Sequence, residues 1–497
     1  MEQIARTLFA GTLCTSTGKK EGQRTSKTHN LKRKEPDSNM KLSKFSSNIA
    51  LSDVESDKNS RASLESYMRK HLHIRLNKEL RPPGLLFQFY ELHTIFGVSE
   101  QVLKRLETLG YYQPTPIQRQ VIPCMLNEMQ VLACSVTGSG KTLAFVVPII
   151  SKLLKNRDLK ERRMPQAVIL EPTKELVHQT ERVVRNIAHS LSIECCSLMN
   201  RITSSSDNII FDIIVATPYS FLSALREGKI DLSDLSDLVF DEADKMFEAQ
   251  FLEQVDEILS YCPSALVGKH LFSATLPDKI ETMARSFIDD PVRVIVGRGS
   301  GNGSFSCIDT VDQQLKFTGN ESGKRFALEE LFRNGIAAPV LVFVQDKKRV
   351  EDLFRLLSRL KISAAFIHAD CSQEHRSRAV ESFKRGVVTV LVTSDLLCRG
   401  MDFRCIQTVI NYDFPTSLST YIHRIGRTGR AGRRGVAISF FGEEDKAMIR
   451  PIANFIAACG NPLPDWIFSL PTPSKSQKRK LERRPPKRGE IVLPREA

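Results

Sequence analysis

Short runs of consecutive apolar residues recur along the chain, each followed by a polar turn and a stretch with helical spacing. The first series is VLAC (131–134), AVILE (167–171), DIIVAT (212–217), DLVFDEA (237–243) and HLFSAT (270–275). Runs that stay apolar at every position predict strands buried on both faces. Their alternation with amphipathic segments such as ELVHQTERVVRNIAHSL (175–191) predicts a doubly wound parallel sheet. A second series repeats the pattern in PVLVFVQ (339–345), AAFIHAD (364–370), TVLVTS (389–394), TVINYD (408–413) and VAISFF (436–441). Between the two, GRGSGNGS (297–304) has the composition of a flexible linker. Two α/β lobes joined by a hinge are expected, with a cleft between them.

Outside these series the pattern fails. Residues 1 to about 70 are rich in Ser, Lys, Asn and Asp without a sustained apolar period, which predicts a disordered tail. The stretch KSQKRKLERRPPKR (475–488) crowds basic charge beside Pro485 and Pro486, which stop a helix. The expected organisation is a disordered tail over 1–80, a first lobe over 81–297, a linker over 298–306, a second lobe over 307–470 and a disordered basic tail over 471–497. A chain of 497 residues has room for two such units plus tails.

Composition narrows the choice of partner. The chain is 41% hydrophobic and 26% charged, the balance of a soluble globular protein, and its formal charge of +14 favours an anionic partner such as a phosphate backbone. No apolar run approaches the roughly 20 residues needed to span a bilayer. The apolar stretch from Leu8 to Leu13 is too short and interrupted for a secretory leader. Eleven cysteines, scattered without a C-x-x-C pair, fit reduced thiols in a nuclear or cytosolic compartment.

Two clusters carry chemistry. Gly138-Ser139-Gly140-Lys141-Thr142 follows the VLAC run and opens an apolar helical stretch. Its glycines let backbone N–H groups approach phosphate oxygens, Lys141 reaches the outer phosphates, and Thr142 is suited to ligate Mg²⁺. A glycine-rich turn of purely structural use would not need the second cluster, Asp241-Glu242-Ala243-Asp244, at the end of the DLVF run. There Asp241 is expected to hold Mg²⁺ through water and Glu242 to orient and deprotonate an attacking water.

With both clusters in one lobe, the chain resembles the DEAD-box RNA helicases over about 89–468. That resemblance implies two tandem RecA-like domains, ATP and Mg²⁺ as cofactors, and RNA as the partner. Within GYYQPTPIQ (110–118), Gln118 is the residue expected to pair with the adenine edge. The family's usual spacing for the aromatic that stacks on the base lands on His93, and Phe89, four residues further out, is the expected residue. Ser273-Ala274-Thr275 matches the family's motif coupling hydrolysis to strand separation, with Asp244 and His423 as its partners. In HRIGRTGR (423–430), Arg427 and Arg430 are implied to be arginine fingers, and Asp402 to touch the nucleotide from the second lobe.

For RNA, the resemblance points to Thr173 and Lys174 of PTKEL (172–176), Thr217 of TPYS (217–220), Arg376 of QEHR (373–376) and Thr393. Lys174 and Ser220 stand where the family usually has arginine, so the first lobe's grip is modified. Contacts of this class go to phosphates and 2′-hydroxyls and carry little sequence information. The segments 409–417, 421–432 and 443–467 are similar to the Rok-type helicases of small-subunit ribosome assembly. This implies a nucleolar role in pre-rRNA processing; a monomer, a protein cofactor of ribosome assembly and no membrane are further expectations. Trp466 is expected to anchor the last helix. Two rivals remain: an ATP-dependent RNA clamp or assembly scaffold with little turnover, and a DNA helicase on the same fold.

Overall fold

The computed structural model describes residues 58–77, 82–155, 164–198, 211–247, 249–262, 267–297, 310–395, 406–430, 433–474, 476–477, 481 and 485–491. The chain divides into two units, 1–71 and 72–497. In the first, the described residues form the helix Lys58–His71. Its last turn carries Arg69, Lys70 and His71, which suit the negative end of the helix dipole. Arg61 and Arg69 both pair with Glu65 one turn away.

The second unit contains two sheets among its described residues. The first is built from β1 (Ile74–Leu76), β2 (Val131–Cys134), β3 (Ala167–Leu170), β4 (Cys195–Leu198), β5 (Ile213–Ala216), β6 (Asp237–Phe240), β7 (Gly268–Ser273) and β8 (Val292–Val296). The second is built from β9 (Val311–Gly319), β10 (Val340–Phe343), β11 (Ala364–Ile367), β12 (Val390–Thr393), β13 (Thr408–Asn411) and β14 (Gly435–Gly442). Their orders are β1-β8-β2-β7-β6-β3-β5-β4 and β11-β12-β10-β13-β14-β9. All pairings are parallel except β1 with β8. Two doubly wound lobes, as the apolar runs predict, therefore make up this unit.

Both faces of each sheet are covered. On β2, β3, β5 and β6 of the first lobe, Leu132, Val168, Ile214 and Leu238 share one buried cluster. In the second lobe Leu341, Leu391 and Val409 enter one cluster, and their chain neighbours Val340, Val390 and Ile410 enter another on the opposite face. This two-sided burial is why the strands are apolar at every position. Among the described residues the cysteines carry free thiols, and burial pushes the Cys195 thiol up to about 12.

The structure revises both ends of the sequence reading. Within the stretch expected as tail up to residue 80, a helix begins at Lys58, and β1 adds an antiparallel edge strand to the first sheet. The helix, KNSRASLESYMRKH, has few apolar residues and the strand is three residues long, so neither shows a sustained apolar period. Residues 1–57 lie outside the described residues. In the stretch expected as a basic tail, residues 485–491 pack on the second lobe. The Arg488 side chain is 1% exposed and pairs with Asp445 at 2.7 Å and Glu444 at 3.0 Å. Ile491 joins the apolar cluster around Val340 and Tyr412. Next to this segment, Lys324 and Arg349 pair with the fully buried Asp413. Trp466 is a looser anchor than expected: it is 52% exposed and meets Phe441 at 6.5 Å between ring centroids.

Candidate active site and RNA-facing edge

The carboxyl ends of the strands carry the candidate residues, as expected for a doubly wound sheet. β2 runs into the glycine turn and then the helix Lys141–Lys155. Gly138 and Gly140 have φ of +78° and +92°, so this turn needs glycine at both positions. Ser135 and Ser139 hydroxyls close it at 2.6 Å. Lys141 is buried and donates to the carbonyls of Ser135 at 2.7 Å and Val136 at 3.2 Å. Thr142 is half-buried on the first turn of the helix.

Gln118 is joined to the same turn. Its carbonyl accepts the Thr115 amide at 2.9 Å, and its amide nitrogen donates to the Gly140 carbonyl at 3.0 Å. Phe89 is 6% exposed, while the alternative His93 is nearly half exposed and bonds the Val98 carbonyl. The segment before Phe89 is tied to the Gln118 helix: Arg119 donates to the Leu86 and Phe87 carbonyls, and the Leu86 amide returns to the Arg119 carbonyl.

Asp241 and Glu242 follow β6 and are 5% and 6% exposed. Burial pushes the Asp241 carboxyl up to about 6, against the pull of Lys141 and with the push of Glu242. Glu242 has φ +46° and ψ +46°, a left-handed conformation that costs a non-glycine residue about 1–3 kcal/mol. Its buried Oε2 has no hydrogen-bond partner. Strain and an unsatisfied carboxylate oxygen on one residue are what a group held ready for substrate requires. Among the described residues no three His, Cys, Asp or Glu side chains converge to cage a metal. Thr142 on the first helical turn and Asp241 at the end of β6 offer oxygen donors of the kind Mg²⁺ takes beside water and phosphate.

The SAT segment and the second lobe meet at Asp244. Its Oδ2 accepts the Thr275 hydroxyl at 2.5 Å, His423 Nε2 at 2.8 Å and the Ser419 hydroxyl at 3.3 Å. Burial alone would raise this carboxyl, but His423, Lys245 and Thr275 hold it far below the usual carboxylate range. Ser273 accepts the Asp244 amide at 3.3 Å and donates to the Thr275 carbonyl at 2.6 Å. A second bridge runs from the Thr137 hydroxyl to the Gly426 carbonyl at 3.1 Å. Val136 packs against the second lobe's apolar cluster.

Arg427 is 4% exposed and donates to the His423 carbonyl at 3.3 Å. Arg430 donates to the Gly426 carbonyl at 2.8 Å, and its side chain passes 3.3 Å from where a Cβ on Gly138 would stand. That brings one expected arginine finger onto the phosphate turn. Asp402 lies outside the described residues.

Sequence reasoning does not find several contacts that hold this arrangement. Arg424 forms a two-bond pair with Asp395 at 2.5 and 2.8 Å and donates to the Asp413 carbonyl at 2.6 Å. Ser419, Thr137 and the buried Glu171 also stand at the site. Only the position of Arg424 inside HRIGRTGR offered a signal.

The expected RNA residues lie along the strands' carboxyl edges. Thr173 caps the helix Lys174–Ala188 by accepting the Leu176 amide, and Lys174 is exposed. Thr217 caps the helix Pro218–Arg226, with Tyr219 beside it 71% exposed. Arg376 pairs with Glu175 of the first lobe at 3.2 Å. Thr393 departs from expectation: it is fully buried, its hydroxyl bonded to the Ser394 carbonyl, because it closes a strand paired on both sides.

Comparison with known proteins adds an independent view. The family model of DEAD/DEAH box helicases matches residues 115–283, and that of the helicase conserved C-terminal domain matches 323–432. The chain is 40% identical over 421 residues to DEAD-box ATP-dependent RNA helicase 57 of Oryza sativa subsp. japonica, covering 84% of this chain and 76% of that protein. It is 38% identical over 402 residues to ATP-dependent RNA helicase ROK1 of Lodderomyces elongisporus, covering 79% and 72%. It is 38% identical over 419 residues to probable ATP-dependent RNA helicase DDX52 of Mus musculus, covering 82% and 69%. Among solved structures, S. cerevisiae Dbp5 bound to RNA and ADP BeF3 superposes with a TM-score of 0.64 at 26% identity, covering 79% of this chain and 97% of that one.

Proposed function

The chain belongs to the DEAD-box family of ATP-dependent RNA helicases, and from that premise we propose that it remodels or locally unwinds pre-rRNA during assembly of the small ribosomal subunit. The observation that carries the reading is the shared Asp244 carboxylate. One oxygen holds Thr275 of the first lobe with Ser419 and His423 of the second, three residues from Asp241 and two from Glu242. A change at the hydrolytic residues is thereby transmitted to the second lobe.

The roles of the side chains follow from their placement. Backbone N–H groups at the glycine turn receive phosphate, and Lys141 exchanges its carbonyl partners for the outer phosphates of ATP. Thr142 and, through water, Asp241 would hold Mg²⁺, which when bound would neutralise charge on those phosphates. Glu242 orients the attacking water and takes its proton. Arg427 and Arg430 offset the charge that develops on the transferred group. Phe89 and Gln118 take the adenine side, with Asp402 completing the nucleotide contacts from the second lobe. Thr173, Lys174, Thr217 and Arg376 bind RNA phosphates and 2′-hydroxyls, with Thr393 joining only if β12's end rearranges. Binding of ATP and RNA closes the lobes, and hydrolysis reopens them.

The similarity to the RNA helicases ROK1 and DDX52 supports RNA as the substrate, and the ribosomal setting, a nucleolar location and a stimulating protein cofactor complete the proposal. A monomer suffices for every step above. Steady-state ATPase assays test the chemistry. RNA is expected to stimulate turnover, DNA of equal sequence is not, and Glu242→Gln is expected to lose at least about 100-fold of the RNA-stimulated rate. Parental turnover by that variant would remove Glu242 from the mechanism, and negligible turnover of the parent would favour an RNA clamp. Crosslinking in cells followed by sequencing is expected to recover pre-rRNA. A footprint on mRNA alone would overturn the ribosomal assignment.

A further inference from the structure

At the carboxyl end of β3 stands a carboxylate to which the roles above assign nothing. Leu170 pairs with Phe240 in the β3–β6 register, and the Leu170 carbonyl accepts the Asp241 amide at 3.1 Å. Glu171, the next residue, is thereby set beside Asp241. Its own amide is fixed by the Ala216 carbonyl at 2.9 Å. The Glu171 side chain is fully buried. Its Oε1 accepts the Thr180 hydroxyl at 2.6 Å, while Oε2 has no hydrogen-bond partner. Burial, with Asp241 and Glu242 beside it, pushes this carboxyl well above the usual carboxylate range, against the pull of the Thr180 hydrogen bond and Lys141.

An unsatisfied, fully buried carboxylate oxygen is costly, typically about 1–3 kcal/mol or more for a charged group. Here the carboxyl groups of Glu171, Asp241 and Glu242 act on one another beside Lys141, and a divalent cation would favour their ionised forms. An ion that keeps several waters offers their hydrogens to carboxylates around it.

We propose that Glu171 is a positioning residue for the divalent ion that accompanies the nucleotide: Thr180 fixes Oε1, and Oε2 accepts a hydrogen bond from a water bound to the ion. This rests on the reading that the site takes a metal–nucleotide complex. The alternative is a structural carboxylate that merely ties β3 to the helix Lys174–Ala188 through Thr180. Glu171→Gln separates the two, because glutamine keeps the volume and still accepts from Thr180 but presents N–H donors where the water's hydrogens should go.

The test uses the full chain with ADP and Mn²⁺, followed by electron paramagnetic resonance, beside titration of a fluorescent ADP analogue in EDTA. Glu171→Gln is expected to weaken Mn²⁺ binding to the nucleotide complex by about 10- to 100-fold, with metal-free nucleotide affinity unchanged. Parental Mn²⁺ affinity overturns the proposal. So does an equal loss of metal-dependent and metal-free nucleotide affinity, which is the mark of a structural role. Should the glutamine variant not fold, Glu171→Asp carries the test. With charge kept and reach shortened, its Mn²⁺ affinity must fall selectively, and unchanged affinity again overturns the assignment. Absence of nucleotide binding by the parent would instead overturn the underlying reading.

Discussion

At Gly140 the backbone and a neighbour make the same demand. Its φ is +92°, and a Cβ there would stand 2.4 Å from the Gln118 amide nitrogen. Gly140→Ala must strain the turn and displace Gln118 together, at a cost of about 1–3 kcal/mol from the backbone alone. The expected outcome is roughly five- to hundredfold weaker binding of a fluorescent ATP analogue. A different residue-scale prediction concerns pH. Fully buried His270 donates through Nε2 to Asp237 at 3.1 Å, and burial holds its pKa below the ordinary imidazole value despite that partner. Below about pH 6.5 the unfolded chain therefore binds a proton that the folded chain resists, and stability falls as pH drops through that window. His270→Asn is expected to flatten the decline in melting temperature between pH 7 and pH 5; an unchanged slope would remove His270 as its source. Residues whose chemistry needs chain-adjacent partners, such as Lys141, Glu242 and Arg430, were legible in the sequence. Glu171, Ser419 and the burial of Thr393 were not, since each depends on strand register or on which loops meet.

Among the elements, legibility followed burial. The ten strands anticipated from apolar runs all form, and most are interior to their sheets. The four missed are β1, β4, β8 and β9. Of these, β1, β4 and β9 are edge strands, open on one side, so their residues alternate or include polar positions. In β9 the pattern VDQQLKFTG alternates buried and exposed only at its start, which leaves no continuous apolar run to find. β1 is three residues long. Two helices meet at the RNA-facing edge through the pair between Glu175 at the start of Lys174–Ala188 and Arg376 at the start of Gln373–Lys384. Both ends are partly exposed, so the pair contributes about 0.2–1 kcal/mol. Glu175→Ala releases Arg376 toward phosphate and is expected to raise RNA affinity up to a few-fold in fluorescence anisotropy, whereas Arg376→Ala lowers it. Opposite signs are the test, and a loss in both variants would mean that the pair supports the edge itself.

At the scale of the whole molecule, the two-lobed plan was readable from the repeated strand series, but the closure of the second lobe was not. A charged stretch beside two prolines reads as tail, because nothing in its sequence announces the acidic pocket that receives it. Arg488 fills that pocket against Asp445, Glu444 and the Phe414 carbonyl, and the Gly489 carbonyl accepts Arg349. Arg488→Ala leaves Asp445 buried beside other acids and is expected to cost roughly 3–5 kcal/mol. Hydrogen exchange should show the loss in β10, β13 and β14, with the first lobe unaffected. Parental exchange in those strands would make the segment a passive covering.

That docked segment also bears on when the protein becomes whole. Glycine 489 follows its partner Arg349 by 140 residues, which at usual rates of synthesis is a delay on the order of ten seconds. Until then Lys324 and Arg349 can pair with Glu321 and Asp413, while Asp445 lacks the arginine that faces it in the finished fold. The phosphate-binding lobe can thus be finished on the ribosome while its partner still waits for one arginine.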